Sequence, residues 1–304
     1  MKHIRKLVPL ILFSFVLAFV STGSSLNRAL TIPLDRLPES ANAPQESVSI
    51  HLTLGNPSDA TAEETNKDNF LMVKPQYALS FNNTKGGPNW VAWHLEASDI
   101  GTESRGDFTV DPDLPAGFKR IRKADYNKTG FDRGHICNSK DRTDTRENND
   151  ATFLMTNILP QAPDNNQGPW VKLENFERDL ASQGNELYIA AGAFGSGGTG
   201  KVGPMKKIAK GKVNVPKTFW KIMVIVSEGA DDLSRITKST RAIAVCMPNK
   251  QGIRNLPWQK FVTTIRNVEV ATKYDFLSEL PLAIQAPIEL RVDSEGTGTG
   301  NPCK

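Results

Sequence analysis

The chain has 304 residues, 38% apolar and 23% charged, the balance of a globular protein rather than of a disordered or fibrous one. Its formal charge of +4 comes from 37 basic and 33 acidic residues; setting aside Lys2, Arg5 and Lys6, which lie in an N-terminal leader, leaves 34 against 33. Global charge therefore selects no class of partner, and the three cysteines, with no CxxC spacing, suggest neither a disulfide framework nor a cysteine zinc site.

Residues 1–6 are basic, 7–20 are uncharged and apolar, and 21–25 are small and polar. That order is a signal peptide, expected over 1–24, and the apolar run is short of the ~20 residues a membrane span needs. A single-pass anchor is the alternative. The mature protein is expected to be exported, secreted or periplasmic, with no membrane segment after leader removal. Residues 25–47, rich in Pro, Ser and Ala, read as a linker or pro-region. Residues 48–292 are expected to form the folded domain, and 293–304 a flexible tail carrying a mobile Cys303.

Within the domain, SVSIHLTLG (47–55) alternates and predicts a strand. YALSFNNTKGGPNWVAWHL (77–95) predicts a hairpin about its Gly-Gly-Pro. FDRGH (131–135) places a histidine behind an Asp-Arg-Gly turn, and ATFLMT (151–156) predicts a strand leading to Asn157. Residues 166–184 have a helical pattern, with Trp170, Leu173, Phe176 and Leu180 on one side, Pro169 in the first turn and Gly184 at the stop. ELYIAAGAF (186–194), KTFWKIMVIVS (217–227) and TRAIAVCMP (240–248) are short β-branched runs, expected to be buried strands with Cys246 in the core. Strands outnumber helices without alternating with them, so the fold class expected is α+β.

Two motifs are decoys. GSGGTGK (195–201) matches most of a phosphate-binding P-loop, but Val202 occupies the hydroxyl position and no helix follows; a flexible glycine loop is expected. Arg105-Gly106-Asp107 spells a triplet too short to carry meaning. The stretch 201–221 holds seven lysines and no acid, either a solvated face or a phosphate-tracking patch containing Lys201, Lys206, Lys207 and Lys210.

Asn166, Trp170 and Glu174 stand at i, i+4 and i+8, which puts an amide and a carboxylate on one helix stripe that could face His135. A neutral histidine accepts a proton near neutral pH. An amide oxygen is a hard ligand that leaves most of the shell of Mg²⁺ to water and phosphate, and a carboxylate can orient those waters. Arginines grip phosphate oxygens in bidentate fashion. Together these parts suit metal-assisted phosphodiester hydrolysis.

DRGH, followed by TFLMTNILPQ, NQGPW and LEN, resembles the DNA/RNA non-specific endonuclease family, in its secreted bacterial branch, over about residues 48–292. The resemblance implies the ββα-metal (His-Me finger) fold, with a central, mainly antiparallel sheet flanked by helices. It implies cleavage of DNA and RNA to 5′-phosphate ends with one divalent metal, Mg²⁺ or Mn²⁺, by a monomer for which a protein inhibitor is a conceivable partner. Residue by residue, His135 matches the general base, Asn166 the single protein ligand of the metal, and Glu174 the carboxylate that holds water at the metal. Arg133 and, with looser spacing, Arg105 match arginines near the scissile phosphate, and Asn157 an asparagine positioning His135 or substrate. Asp132 reads as structural, and Cys137 stands where a small residue such as Ala is expected. A nuclease scaffold that only binds nucleic acid, and an extracellular phosphodiesterase of small nucleotides, are the competing readings.

Overall fold

The computed structural model describes residues 49–298 and 301–304; the signal peptide and the linker expected over 1–47 lie outside them. In chain order the strands are β1 (Phe70–Val73), β2 (Ala78–Asn82), β3 (Gly87–Leu95), β4 (Asp132–His135), β5 (Ile158–Gln161), β6 (Asn185–Phe194), β7 (Gly198–Gly200), β8 (Gly203–Met205), β9 (Lys207–Ile208), β10 (Val213–Asn214), β11 (Thr218–Ser227), β12 (Arg241–Pro248) and β13 (Val262–Thr263). The helices are α1 (Arg146–Ala151), α2 (Pro163–Asn165), α3 (Val171–Ser182), α4 (Asp232–Arg235), α5 (Ile265–Thr272) and α6 (Leu282–Leu290).

Seven strands form one antiparallel sheet in the order β1-β2-β3-β6-β11-β12-β13. Period-2 alternation splits its side chains into two cores. On the front, Val91, Trp93, Ile189, Phe219, Met223 and Val245 pack with Trp170 and Leu173 of the α3 region. On the back, Trp90, Trp220, Ile222 and Ala244 pack with Val268 of α5 and Ile288 of α6. With both faces covered, the strands read as continuous apolar runs, which is why they are visible in the sequence. Among the described residues no helix is long and apolar enough to cross a membrane.

The front layer holds β4 and β5, paired from Asp132↔Gln161 to His135↔Ile158, followed by the approach to α3. This is the ββα unit. DRGH is therefore a strand and not a turn, and its glycine has a packing reason: a Cβ at Gly134 would collide with the Gln161 side chain.

Other expectations need correcting. Residues 50–52 form a 3₁₀ turn capped by Ser49, not a strand; His51 is buried while Ile50 is 49% exposed, the reverse of what the alternation predicts. His51 turns inward because its Nε2 meets the Pro75 carbonyl oxygen at 2.8 Å and its Nδ1 accepts from the His94 amide at 3.2 Å. Residues 155–157 are a 3₁₀ turn, and the strand begins only after Asn157. The helix proper starts at Val171, after a kink at Gly168 (φ −117°, ψ −113°), where a Cβ would come within 2.7 Å of the Arg254 backbone. Instead of a flexible loop, the glycine-rich stretch forms the β7–β8 hairpin. Cys303 is not mobile, because it is disulfide-bonded to Cys246 of β12, 57 residues away.

Candidate active site

Along β4, Arg133 and His135 are two residues apart and so share a face. Both meet Phe108, with the Arg133 guanidinium 5.5 Å and the His135 ring 5.3 Å from its ring centroid. Phe153 adds an edge-on contact to His135 at 4.7 Å. The imidazole is thus boxed by aromatics, and its Nε2 is enclosed without a hydrogen-bond partner among the described residues. Burial, reinforced by the Arg105 charge, pushes its pKa down to about 3. The imidazole of His135 is consequently neutral throughout the ordinary pH range.

Arg105 arrives from an extended segment pinned beside α1, where the Gly106 amide donates to Asn149 Oδ1 (3.1 Å). Its guanidinium lies 5.1 Å from the Phe153 ring and 5.7 Å from Phe108. Arg133 is fixed by two bonds to the Lys123 carbonyl oxygen (3.0 and 2.7 Å) and one to Asn127 Oδ1 (2.7 Å).

Asn166 faces these groups from the turn before α3. Its Nδ2 donates to Asp132 Oδ2 at 2.9 Å, and the same oxygen accepts from Gln167 Nε2 at 2.7 Å. Because the amide nitrogen is held by Asp132, Oδ1 is the end left to accept, and no protein donor reaches it among the described residues. Glu174 lies in the first turn of α3 and is buried. Burial raises its carboxyl above the usual range, against the pull of Lys221, Asn138 and Arg178. One turn further, Arg178 Nη1 is clamped by Asp141 Oδ1 at 2.7 Å.

Arg105, Arg133, His135, Asn138, Lys140, Asn166, Gln167, Glu174 and Arg178 all line one open cleft. A hard, oxygen-seeking divalent ion fits this donor set: an amide oxygen with no other partner among the described residues, and a buried carboxylate. Arg105, Arg133, His135, Asn166 and Glu174, all singled out from sequence, meet here. Asn157 does not: fully buried, it bonds the Cys137 amide (2.9 Å), the Cys137 carbonyl (2.9 Å) and the Thr152 carbonyl (2.8 Å), so it shapes the backbone behind His135. Cys137 is buried and unpaired within that bend.

Lys201, Lys206, Lys207 and Lys210 are exposed but do not line the cleft. Nor is the lysine run a single face. Lys221 is wholly buried, with Nζ 2.9 Å from Glu177 Oε2 and between the rings of Trp93 (5.3 Å) and Trp170 (4.7 Å). Sequence reading missed Arg178, although its position four residues after Glu174 on the helix gave the signal. It also missed the role of Asp132, whose partners appear only in three dimensions.

Comparison with known proteins places these residues in context. The profile of the DNA/RNA non-specific endonuclease family matches residues 55–283. A protein of Nostoc sp. named nuclease is 50% identical over 249 residues, 82% of this chain and 88% of its own length. Nuclease C1 of Cunninghamella echinulata is 29% identical over 241 residues, 75% of this chain and 92% of its own. A chain from the crystal structure of the EndoG/EndoGI complex, which describes EndoG inhibition, superposes with a TM-score of 0.62 at 23% identity, covering 76% of this chain and 91% of the other. The shared fold is the ββα-metal nuclease fold.

Proposed function

Since the chain belongs to the DNA/RNA non-specific endonuclease family and is a nuclease, we propose that it is an exported enzyme hydrolysing DNA and RNA to 5′-phosphate products with one Mg²⁺ or Mn²⁺. The observation that carries this reading is a neutral, aromatic-boxed His135 sharing a cleft with three arginines and with an Asn166 whose carbonyl oxygen has no partner among the described residues.

Asn166 Oδ1 is the protein ligand assigned to the ion, and Asp132 keeps it turned outward. When bound, the ion supplies charge that offsets the build-up of negative charge on the phosphate. Glu174 orients water by hydrogen bonding at the same side of the cleft. His135, neutral at ordinary pH, takes the proton of the attacking water. Arg105, Arg133 and Arg178 hold non-bridging phosphate oxygens. Breaking the bond to the 3′-oxygen, which leaves as a hydroxyl on taking a proton from solvent water, leaves the phosphate on the 5′ side. Contacts to phosphate carry no information about the base, which suits cleavage of both nucleic acids.

The Cys246–Cys303 disulfide supports export, because such bonds persist in oxidising compartments. The solved inhibitor complex of EndoG supports a protein inhibitor as a further partner. The test is plasmid and RNA cleavage with and without EDTA, using His135→Ala and Asn166→Ala. Expected are a ~10²–10⁴-fold loss for His135→Ala, the usual share of a general base, with DNA binding retained, and loss of metal-dependent cleavage for Asn166→Ala. A near-parental nicking rate in either variant would overturn the assignment of that residue.

A further inference from the structure

The helices on the back face of the sheet enclose a second polar centre, separate from the cleft. Glu269 of α5, Asp275 of the connecting loop and Glu289 of α6 each present a carboxylate oxygen, and these three oxygens lie within 4.8 Å of one another. The Glu289 side chain is fully enclosed and that of Glu269 nearly so, whereas Asp275 is exposed. The cation at the cluster is Arg266, itself half exposed; Nη1 stands 2.8 Å from Glu269 Oε2 and Nη2 contacts Glu289 Oε2. Three carboxylates are thus set against one guanidinium.

The oxygens that Arg266 does not hold show what is missing. Glu269 Oε1 accepts one bond, from the Phe276 amide at 3.0 Å. Glu289 Oε1 is enclosed and has no partner among the described residues. The nearby Gln285 amide does not fill the gap, since its Nε2 donates to the Phe276 carbonyl (2.8 Å) and to Asp275 Oδ1 (3.4 Å). Buried polar atoms in folded proteins are nearly always paired, and an enclosed carboxylate oxygen without a partner in a cluster of three carboxylates calls for positive charge.

We propose that Glu269, Asp275 and Glu289 form a structural site for a divalent cation of the calcium class, clamping α5 to α6 on the back face of the sheet. Every donor is a hard oxygen, which selects such ions over zinc or copper. Three carboxylates against one guanidinium leave two formal negative charges, the number a divalent ion cancels. Oxygens up to 4.8 Å apart suit an ion whose ligands stand at about 2.3–2.6 Å on either side, and Ca²⁺ tolerates the irregular geometry of two helices and a loop better than Mg²⁺. The exposed Asp275 gives the ion an entry from solvent.

The test is thermal unfolding of the full chain after EDTA dialysis, with added CaCl₂, in the Asn166→Ala background so that the cleft does not contribute its proposed ligand. A ligand that binds only the folded state raises its stability as RT ln(1 + [L]/Kd). The expected result is a saturable rise in Tm and one Ca²⁺ per chain by calorimetry. Asp275→Asn, at an exposed position, should shift that titration at least tenfold to higher Ca²⁺, while the same substitution alone leaves Mg²⁺-dependent plasmid cleavage unchanged. No calcium-dependent rise in Tm, or the same titration in Asp275→Asn, would overturn the proposal, whatever the fate of the catalytic assignments.

Discussion

Asp132 decides which end of the Asn166 amide meets the cleft. An asparagine can present either its oxygen or its nitrogen, and only the oxygen attracts a cation. With Asp132 Oδ2 accepting from both Asn166 and Gln167, rotation of the amide would set an oxygen against a carboxylate. Asp132→Ala removes that restraint and leaves the ligand atom in place. Partners that orient a metal ligand typically contribute ~10–100-fold in affinity. The Mg²⁺ concentration for half-maximal cleavage should therefore rise by about that factor, with unchanged thermal stability of the fold as control; an unaltered Mg²⁺ titration would show that Asp132 does not act through Asn166. His135 gives a second test, this one in proton linkage. Its folded pKa of about 3 lies below the ordinary value of 6.5, so between those pH values the unfolded chain takes up a proton that the folded chain refuses. Stability from this residue is therefore fully present above pH 6.5 and is lost as pH falls towards 3. His135→Gln lacks that linkage, so the stability of the parent relative to the variant, from urea unfolding, should decline over this range. A constant difference would mean that the imidazole is not held neutral.

At the scale of elements, legibility depended on how each backbone is stabilised. β6, β11 and β12 were readable because sheet strands covered on both faces are near-continuous apolar runs, the buried Lys221 of β11 excepted. The β2–β3 hairpin was readable from its turn chemistry. The failures occur where side chains, not ladders, hold the backbone. Asn157 spends its amide on three backbone groups and keeps 152–157 out of a strand that the apolar residues alone would favour. His51 does the same at 50–52. Such bonds reach 20 or more residues away, and no local window contains both ends. The approach to α3 failed differently. Spacing placed Asn166 and Glu174 on one stripe and both do line the cleft, but Trp170 between them points into the core against Phe219. The break at Gly168, required by the nearby Arg254 backbone, separates the turn that carries Asn166 from the helix that carries Glu174. The residue types of the site were thus legible in order and spacing, while the contacts that aim them were not.

At the scale of the whole molecule, a nearly neutral chain must gather local charge to hold a polyanion. Arg105, Arg133, Lys140 and Arg178 line the cleft itself. The exposed Lys206 and Lys207 stand outside it, next to and on β9, whose partner β10 is anchored to the Lys85 carbonyl through Asn214 (2.8 Å). Lys201 is closer to β4, since its amide donates to the Gly130 carbonyl at 2.9 Å, just before that strand. Each phosphate neutralised on duplex DNA adds ~0.9 to the slope of log affinity against log salt. Changing Lys206 and Lys207 to Gln should then weaken duplex binding and flatten the slope by about two units, if each lysine meets one phosphate. The rate on a dinucleotide diester should not change, because the cleft keeps its arginines and His135. Filter binding in the His135→Ala background measures the slope without cleavage. An unchanged slope would confine the grip on the backbone to the cleft and reduce the lysine run to a solvated face, with Lys221 alone serving the core.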